Sequence, residues 1–216
     1  AGNMIAIKVY SRFIFFLHIH VAIKSFYLKI IPSTFLVVGG RMIVMKKLEY
    51  FKVVLILPGN IIITIPLIIY FLTKETYSYH LINLSSVLFY ISLLFFILGL
   101  WLAIWSVRTF YNHGGDGTPG PWKPVSKLII AGPYCYVRNP MLMGVFFLLL
   151  FESILFSSMP IFYWFLIFFI GNIFYFKNIE EKDLIKRFGE DYKNYRDKVS
   201  MFIPSFTPYN KEQYPN

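Results

Sequence analysis

The sequence predicts an all-α membrane protein with several closely spaced spanning helices, a helical hairpin, a cytoplasmic C-terminal helix and no Rossmann domain. Of its 216 residues, 57% are hydrophobic and 15% are charged, whereas soluble domains have about 45–50% and about 25%. The apolar residues are concentrated in uncharged runs, and a helix needs about 20 such residues to cross a bilayer. The glycine-rich stretch at 114–117 lacks the spacing of a dinucleotide-binding loop.

Two uncharged runs predict complete spans, at residues 53–72 and 84–107. Residues 141–176 predict a helical hairpin, because the Ser-Ser-Met-Pro sequence at 157–160 is a turn signal. The two arms of this hairpin are short for a full span. They are therefore expected either to cross with the help of flanking residues or to enter the bilayer only part way.

Two polar segments surround the hairpin. Residues 108–140 form a loop rich in proline and glycine, and a loop of about 30 residues is usually functional or disordered. Residues 177–216 open with a predicted helix that Gly189 could end. Apolar residues recur there at steps of three and four, which indicates one apolar stripe: Leu184, Phe188, Tyr192, Tyr195, Val199 and Phe202. The stripe is expected to lie against the membrane face or against the loop.

Positive charges predict the topology. Lys and Arg number four in the flank 41–52, one in the linker 73–83, four in the loop 108–140, none in the turn 157–160 and eight in the tail 177–216. Because Lys and Arg favour the cytoplasmic side, the flank, the loop and the tail are expected to face the cytoplasm. The protein is thus predicted to be a multi-pass integral membrane protein with its active site on the cytoplasmic side.

The net charge of +10 limits the classes of partner. The basic residues flank membrane segments, so topology and anionic lipid head groups account for them. Membrane lipids are therefore the expected partners, and nucleic acid is not. Cys135 is the single cysteine and the four histidines are scattered, which does not indicate a metal site. The oligomeric state is left open.

Residues 1–44 are apolar but interrupted by Lys8, Arg12, Lys24 and Lys29. The following Met45-Lys46-Lys47 has the character of a natural protein start. Residues 1–44 are therefore expected to be a leader of uncertain status or an extra helix, and residues 45–216 the membrane domain. A signal peptide is less favoured, because no clean cleavage site precedes a soluble domain.

The segment from Lys127 to Gly144 is the first candidate site. Asn139 is a favoured N-cap residue and Pro140 suits the first helical turn, with Arg138 as an interfacial anchor. The same helix start would leave backbone N–H groups beside a fixed cation, where a polar cofactor could dock. Both the structural and the functional interpretation fit these residues.

Acidic residues are the other candidates. Asn178 and Glu181 fit a capping box at the start of the tail helix, whereas Glu180 could hold an ammonium group, such as that on the methionine arm of a sulfonium cofactor. Glu152 lies inside an apolar arm, where an acidic group is costly and usually functional. It is equally expected to lie near the far interface or to pair with a tyrosine hydroxyl.

Three segments together resemble the isoprenylcysteine carboxyl methyltransferase family, whose superfamily also includes membrane phospholipid methyltransferases. They are Gly117 to Trp122, Gly132-Pro133-Tyr134 with Arg138-Asn139-Pro140-Met141, and Glu180-Glu181 with Leu184, Phe188-Gly189, Tyr192 and Tyr195. Each segment is short, but their order and spacing are jointly specific. The resemblance covers about residues 53–206.

The resemblance implies a helical membrane core that binds S-adenosylmethionine between the loop before the hairpin and the segment after it. By position, Leu128 and Ile129 would line the adenosine through backbone contacts, and Tyr134 would pack on the cofactor. Glu180 would hold the methionine part. The other implied cofactor-binding residues form one segment: Arg138, Asn139, Pro140, Met141 and Leu142.

Three positions depart from the family pattern. Asn139 stands in place of the usual histidine, and Leu142 in place of the usual tyrosine, so the contact of that tyrosine is lost. Phe176 stands where the family has the arginine thought to orient the substrate carboxylate. Because of this last departure, the resemblance does not establish isoprenylcysteine as the methyl acceptor.

The expected reaction is in-line transfer of the sulfonium methyl group to a hydrophobic or amphipathic acceptor, either lipid-like or a prenylated small molecule, that enters from the bilayer. Such a transfer depends mainly on alignment and desolvation, so no general base is named. The sequence does not select O, N or S as the acceptor atom. Two alternatives remain: an NADPH-dependent membrane reductase of the sterol reductase type, and a membrane protein that keeps the fold without turnover.

Overall fold

The structure, a computed structural model, describes residues 58–113 and 127–210. The chain divides into two units, residues 1–45 and 46–216, and all described residues belong to the second. The predictions for residues 1–44, for the start of the first span and for the motif at 117–122 lie outside the described residues. Over the described ranges the chain forms helices and no strand, which confirms the all-α prediction.

The described elements follow the order of the apolar runs. A π-helical segment, Asn60–Thr64, leads directly into helix α1. The elements are α1 (Ile65–Thr73), α2 (Val87–His113), a short 3-10 helix (Gly132–Cys135), α3 (Pro140–Leu155), α4 (Met159–Tyr175), a second π-helical segment (Phe176–Glu180) and α5 (Glu181–Lys198).

Helix α2 is longer than the sequence predicted. Its first turn is capped by Ser86, whose Oγ accepts a hydrogen bond from Leu88 N at 3.3 Å. The predicted loop start at residue 108 is wrong, because the helix continues to His113. The residues after Arg108 are compatible with a helix, and the glycines with poor helix propensity come only at 114 and 115.

The hairpin of α3 and α4 is confirmed. Its turn contains Ser157 with a positive φ of 46°. Ser158 is the N-cap of α4, and its Oγ accepts a hydrogen bond from Ile161 N at 3.2 Å. Pro160 falls in the first turn of α4, where it needs no N–H partner.

Helices α2 and α3 approach each other through two glycines. A Cβ atom at Gly144 would lie 2.9 Å from the carbonyl oxygen of Gly99 and 3.1 Å from the amide nitrogen of Ala103. A Cβ atom at Gly99 would lie 2.9 Å from Cγ of Leu148. Small residues at such crossings let backbones pack closely, which matters where lipid-exposed helices gain little from the hydrophobic effect.

Helix α4 passes through the π-helical segment into α5 without a new helix start. The capping box expected from Asn178 and Glu181 is therefore wrong. Asn178 Nδ2 instead donates to the carbonyl oxygen of Phe174 at 2.9 Å, and Glu180, at the N-cap position, has helical φ and ψ and makes no capping hydrogen bond. Because the helix is continuous, no unpaired N–H groups are there to be capped.

Gly189 interrupts α5, as its identity suggested, but does not end it. Its φ of 57° and ψ of −131° are outside the helical region, and glycine adopts a positive φ without steric cost. The chain resumes the helix after this kink and reaches Lys198. Gly189 therefore sets the direction of the second half of α5.

The predicted apolar stripe of the tail is confirmed, and it packs on the loop rather than on the membrane face. Tyr192, Tyr195 and Val199 form a buried cluster with Tyr209. Leu128 and Ile130 from the loop, and Leu184, Ile185 and Phe188 from α5, pack against this cluster. At the end of the stripe, Phe202 packs against a second cluster, formed by Leu102, Val137 and Met143.

Much of the remaining helix surface is apolar. Helix α2 and the continuous helix Met159–Lys198 are long and apolar enough to cross a membrane, and only 17% and 6% of their most apolar stretches are buried. Large exposed side chains include Ile63, Leu72, Val87, Leu94, Trp101 and Ile167. An exposed apolar surface of this extent is typical of a membrane protein.

The close crossing of α2 and α3 predicts that Gly144→Ala destabilises the fold. The new methyl group would press on the backbone of Gly99, which cannot move without shifting α2, and such overpacking usually costs about 1–3 kcal/mol. Thermal unfolding of the purified protein in detergent measures this effect.

The matched control is Gly171→Ala in α4, where an added Cβ atom meets nothing within 4 Å. That variant should keep or slightly raise the unfolding temperature, because alanine is the better helix former. An equal unfolding temperature for the two variants would mean that α2 and α3 do not cross at these glycines.

Candidate functional site

The end of the loop lies against the segment that follows α5. We refer to residues 199–209 as the strap. Its backbone accepts hydrogen bonds from Arg138 N, to Ser200 O at 3.0 Å, and from Asn139 N, to Met201 O at 3.3 Å. Further along, Ser205 N donates to Tyr136 O and Tyr209 N to Cys135 O, each at 2.9 Å. The two polar segments therefore meet, as their charge pattern suggested.

An ion pair joins the loop to α5. Arg138 Nη1 lies 2.7 Å from Glu181 Oε1, and the two side chains are only 11% and 12% exposed. The same Nη1 donates to the hydroxyl of Tyr192 at 3.3 Å. Arg138 Nε is buried and has no hydrogen-bond partner among the described residues. Nη1 of Arg138 is thus engaged within the protein, whereas the buried Nε has no partner among the described residues.

Two tyrosines of α5 reinforce this junction. The Tyr195 hydroxyl donates to the carbonyl oxygen of Tyr134 at 2.6 Å, and burial raises the pKa of Tyr195 far above its usual range. Burial also raises the pKa of Tyr192, although the Arg138 cation opposes that rise. Both hydroxyls therefore keep their protons at physiological pH. The ring of Tyr134 in turn lies 6.5 Å from the ring of Phe110 in α2.

Glu180 and Glu181 have different surroundings. Neighbours on a helix point about 100° apart, because a turn takes about 3.6 residues. Glu181 points at Arg138, whereas the half-buried Glu180 accepts one long hydrogen bond, from the Tyr175 hydroxyl at 3.3 Å. The prediction that Glu181 caps the helix is wrong, because its carboxylate forms the ion pair with Arg138.

Leu128 and Ile129 lie beside this junction. Ile129 is buried, and Leu128 packs against the tyrosine cluster of the tail. No hydrogen bond joins the backbone of either residue to the described part of the chain. The backbone contacts with a cofactor that the resemblance implies for these two residues stay a prediction.

The start of α3 forms the next part of the site. Asn139 occupies the N-cap position and buried Pro140 the first helical position, as predicted. The capping hydrogen bond is absent, since the Asn139 side chain makes none and its ψ of 60° is not the usual extended value. Met141 and Leu142 follow on the first turn, and both are half-buried.

Glu152 lies outside this group. It is twelve residues beyond Pro140 on α3, about 18 Å away at about 1.5 Å per residue. Its Oε2 is buried and has no hydrogen-bond partner among the described residues, so the expected pairing with a tyrosine hydroxyl is not found. Glu152 lies towards the end of α3 that is remote from Pro140, and its expected position near the far interface stays a prediction.

Two parts of the site were not recognised in the sequence. One is the part of the strap after Phe202, which lies beyond the periodic stripe. The other is Gly132, whose φ is 54° and where a Cβ atom would lie 2.6 Å from Thr109 Oγ1. Gly132 thus lets the loop turn tightly against α2, and the Gly-Pro pair at 132 and 133 was the available signal.

The ion pair predicts a strong effect of Glu181→Gln on stability. Removing one partner leaves the buried Arg138 charge uncompensated, which typically costs about 3–5 kcal/mol. The matched control is Asp183→Asn in the same helix, because Asp183 pairs with Arg187 at 3.0 Å in an exposed position. Such surface pairs contribute at most about 1 kcal/mol. Chemical unfolding in detergent compares the two variants.

A double-mutant cycle with Arg138→Leu and Glu181→Leu then isolates the pair itself. If the two groups interact as described, the double variant should lose less unfolding free energy than the two single variants lose together. The difference should be about 0.5–3 kcal/mol. Strictly additive effects would show that the two groups do not interact.

Comparison with known families adds an independent finding. Residues 87–191 match the family model described as phospholipid methyltransferase. No curated protein and no solved structure matches the chain significantly. The matched range runs from the start of α2 into α5 and contains both Arg138 and Glu181. Residues 87–191 are therefore similar to the phospholipid methyltransferase family, which confirms the resemblance seen in the motifs.

Proposed function

We propose that the protein transfers a methyl group from S-adenosylmethionine to a lipid-like acceptor, at the junction of the loop with α5. The observation that carries this proposal is the contact between the end of the loop and α5, which hold two of the segments that resemble the family. Arg138 and Glu181 are 43 residues apart in sequence and 2.7 Å apart in space, and both fall within the matched range. The segments that would build a cofactor pocket are thus held together by the chain itself.

The chemistry of the junction fits the methionine arm of such a cofactor. That arm carries an ammonium group and a carboxylate. Glu180 is a half-buried carboxylate with one long hydrogen bond, which suits the ammonium group. Arg138 Nε is a buried donor without an acceptor among the described residues, which suits the carboxylate. Charge-assisted hydrogen bonds of this kind are short and strong.

The adenosine part of the cofactor would bind at the end of the loop, beside Leu128, Ile129 and Tyr134. The backbone groups of Leu128 and Ile129 can hydrogen-bond a nucleobase edge, and the Tyr134 ring offers an apolar face. When bound, S-adenosylmethionine supplies an electrophilic methyl group on its sulfonium sulfur. The apolar side chains of Ile129 and Leu142 would exclude water, and the protein would contribute mainly position and desolvation.

The residues where a methyl acceptor would bind favour a lipid over a prenylated cysteine. Phe176, which replaces the family's arginine, lies with its ring 6.5 Å from that of Phe202. Two aromatic rings give no partner to a substrate carboxylate. The exposed apolar faces of α2 and α4 would let an acceptor reach the junction from the bilayer. On the charge pattern, the chain is multi-pass and the junction faces the cytoplasm.

The proposal predicts that Glu180→Gln weakens the binding of S-adenosylhomocysteine. The change removes a charge-assisted contact of about 1.5–3 kcal/mol, which corresponds to about a ten- to hundredfold higher dissociation constant. Calorimetric titration of the purified protein in detergent measures it. The control is Glu190→Gln, an exposed acid of α5 that pairs with Lys193, and its affinity should stay at the wild-type value.

Titration of the wild-type protein with NADPH tests the reductase alternative. Binding of NADPH without binding of S-adenosylhomocysteine would favour that alternative. Incubation with labelled S-adenosylmethionine and a total lipid extract tests turnover. Cofactor binding without label in any lipid would favour a protein that keeps the fold and has lost catalysis. An unchanged affinity in Glu180→Gln would mean that the pocket does not include this acid.

A further inference from the structure

A second site lies at the opposite end of α3. A cavity of about 470 Å³ opens between α1, the linker after it, the end of α3 and the start of α4. Pockets for small ligands usually measure about 300–1,000 Å³. The walls are mainly aliphatic, and the groups that matter for recognition are Tyr70, Tyr79, His80 and Glu152.

Hydrogen bonds between elements fix the walls of this cavity. Ile82 N in the linker donates to Leu155 O at the end of α3 at 2.9 Å. Trp164 Nε1 in α4 donates to Ile61 O in the first π-helical segment at 3.3 Å. The walls are therefore tied to one another on two sides, and the cavity is a built feature of the fold.

Glu152 is the unusual group of the cavity. Its Oε2 is buried without a hydrogen-bond partner among the described residues, and no ion pair there involves it. His80 lines the same cavity but forms no ion pair with it. An acidic group in apolar surroundings is unfavourable unless a partner compensates it, and inside a membrane such a group usually marks a ligand or ion pathway.

The aromatic residues indicate that a ligand beside Glu152 would carry a positive charge. The rings of Tyr70 and Tyr79 meet edge to face, with centroids 5.0 Å apart. Thr73 Oγ1 donates its proton to Ile69 O at 2.6 Å, so the Tyr79 hydroxyl is the donor in its hydrogen bond to Thr73. The Tyr79 proton is therefore not directed at Glu152. Aromatic faces beside an acid favour a cationic nitrogen, and quaternary ammonium groups in particular. The aliphatic remainder of the cavity suits a hydrocarbon chain.

We propose that this cavity binds an amphiphile whose polar end carries a cationic nitrogen. Glu152 would pair with the nitrogen, and Tyr70 and Tyr79 would face it. The aliphatic residues would hold the first part of the hydrocarbon chain. The site is separated from the loop and α5 by about 18 Å along α3, so it is an accessory site and does not depend on the proposed methyl transfer.

Photolabelling of the full-length protein in dodecyl maltoside tests the proposal. The two probes are dodecyltrimethylammonium and dodecanol, each with a diazirine in the chain, and labelled peptides are mapped by mass spectrometry. The ammonium probe should label residues 62–81 and 152–161 in preference to dodecanol. In Glu152→Gln this labelling should fall at least about tenfold, as expected for the loss of a charged contact.

Glu75→Gln is the matched control, because Glu75 is an exposed acid of the linker after α1 and does not line the cavity. The labelling of this variant by the ammonium probe should equal that of the wild-type protein. An unfolding temperature equal to that of the wild-type protein shows that a variant is folded. Equal labelling by both probes would overturn the proposal in favour of a non-selective apolar groove. Preference for dodecanol that is lost in Glu152→Gln would overturn it in favour of a hydroxyl ligand. Undiminished ammonium labelling of Glu152→Gln would exclude a role for the acid.

Discussion

The contact between Arg138 and Glu181 decides where the rest of the candidate site can lie. Burying two charges is costly, and such a pair often adds little net stability compared with apolar side chains. Its value here is geometric, because it fixes one point of α5 against the start of α3. With that point fixed, the strap can bond to residues 135–139 and the tyrosines of α5 can cover Leu128. Glu180 is then presented beside the same junction.

A second constraint acts within the helices. The hydrophobic effect does not drive helices together in lipid, so their packing depends on shape. Gly99 and Gly144 supply that shape, and they place the middle of α2 against the first turns of α3. Helix α2 continues past this crossing to Thr109, and Gly132 at the end of the loop packs there. Gly132, with its positive φ, fits the loop into the narrow space next to Thr109.

Much of the fold could be predicted, because long apolar runs, the turn at 157–160 and the stripe of α5 are local patterns. The partner of Arg138 could not. An acid at position 181 fits a helix cap and an ion pair equally well, and only the continuity of α4 into α5 rules out the cap. The end of α2 was misplaced for a similar reason, since the polar composition after Arg108 indicates a loop whereas the backbone stays helical. Cofactor contacts at Glu180 and Leu128 remain predictions from family resemblance.

The strap has a consequence for the way in which the protein is made. It is synthesised after every described helix, yet it forms hydrogen bonds to residues 135–139 that are needed to close the junction. Chains fold progressively during synthesis, so the helices can enter the bilayer while the junction is still open. On the proposed function, the nascent chain becomes competent to bind the cofactor only after translation has passed residue 209. Insertion of the helices and closure of the junction are in this way separated in time.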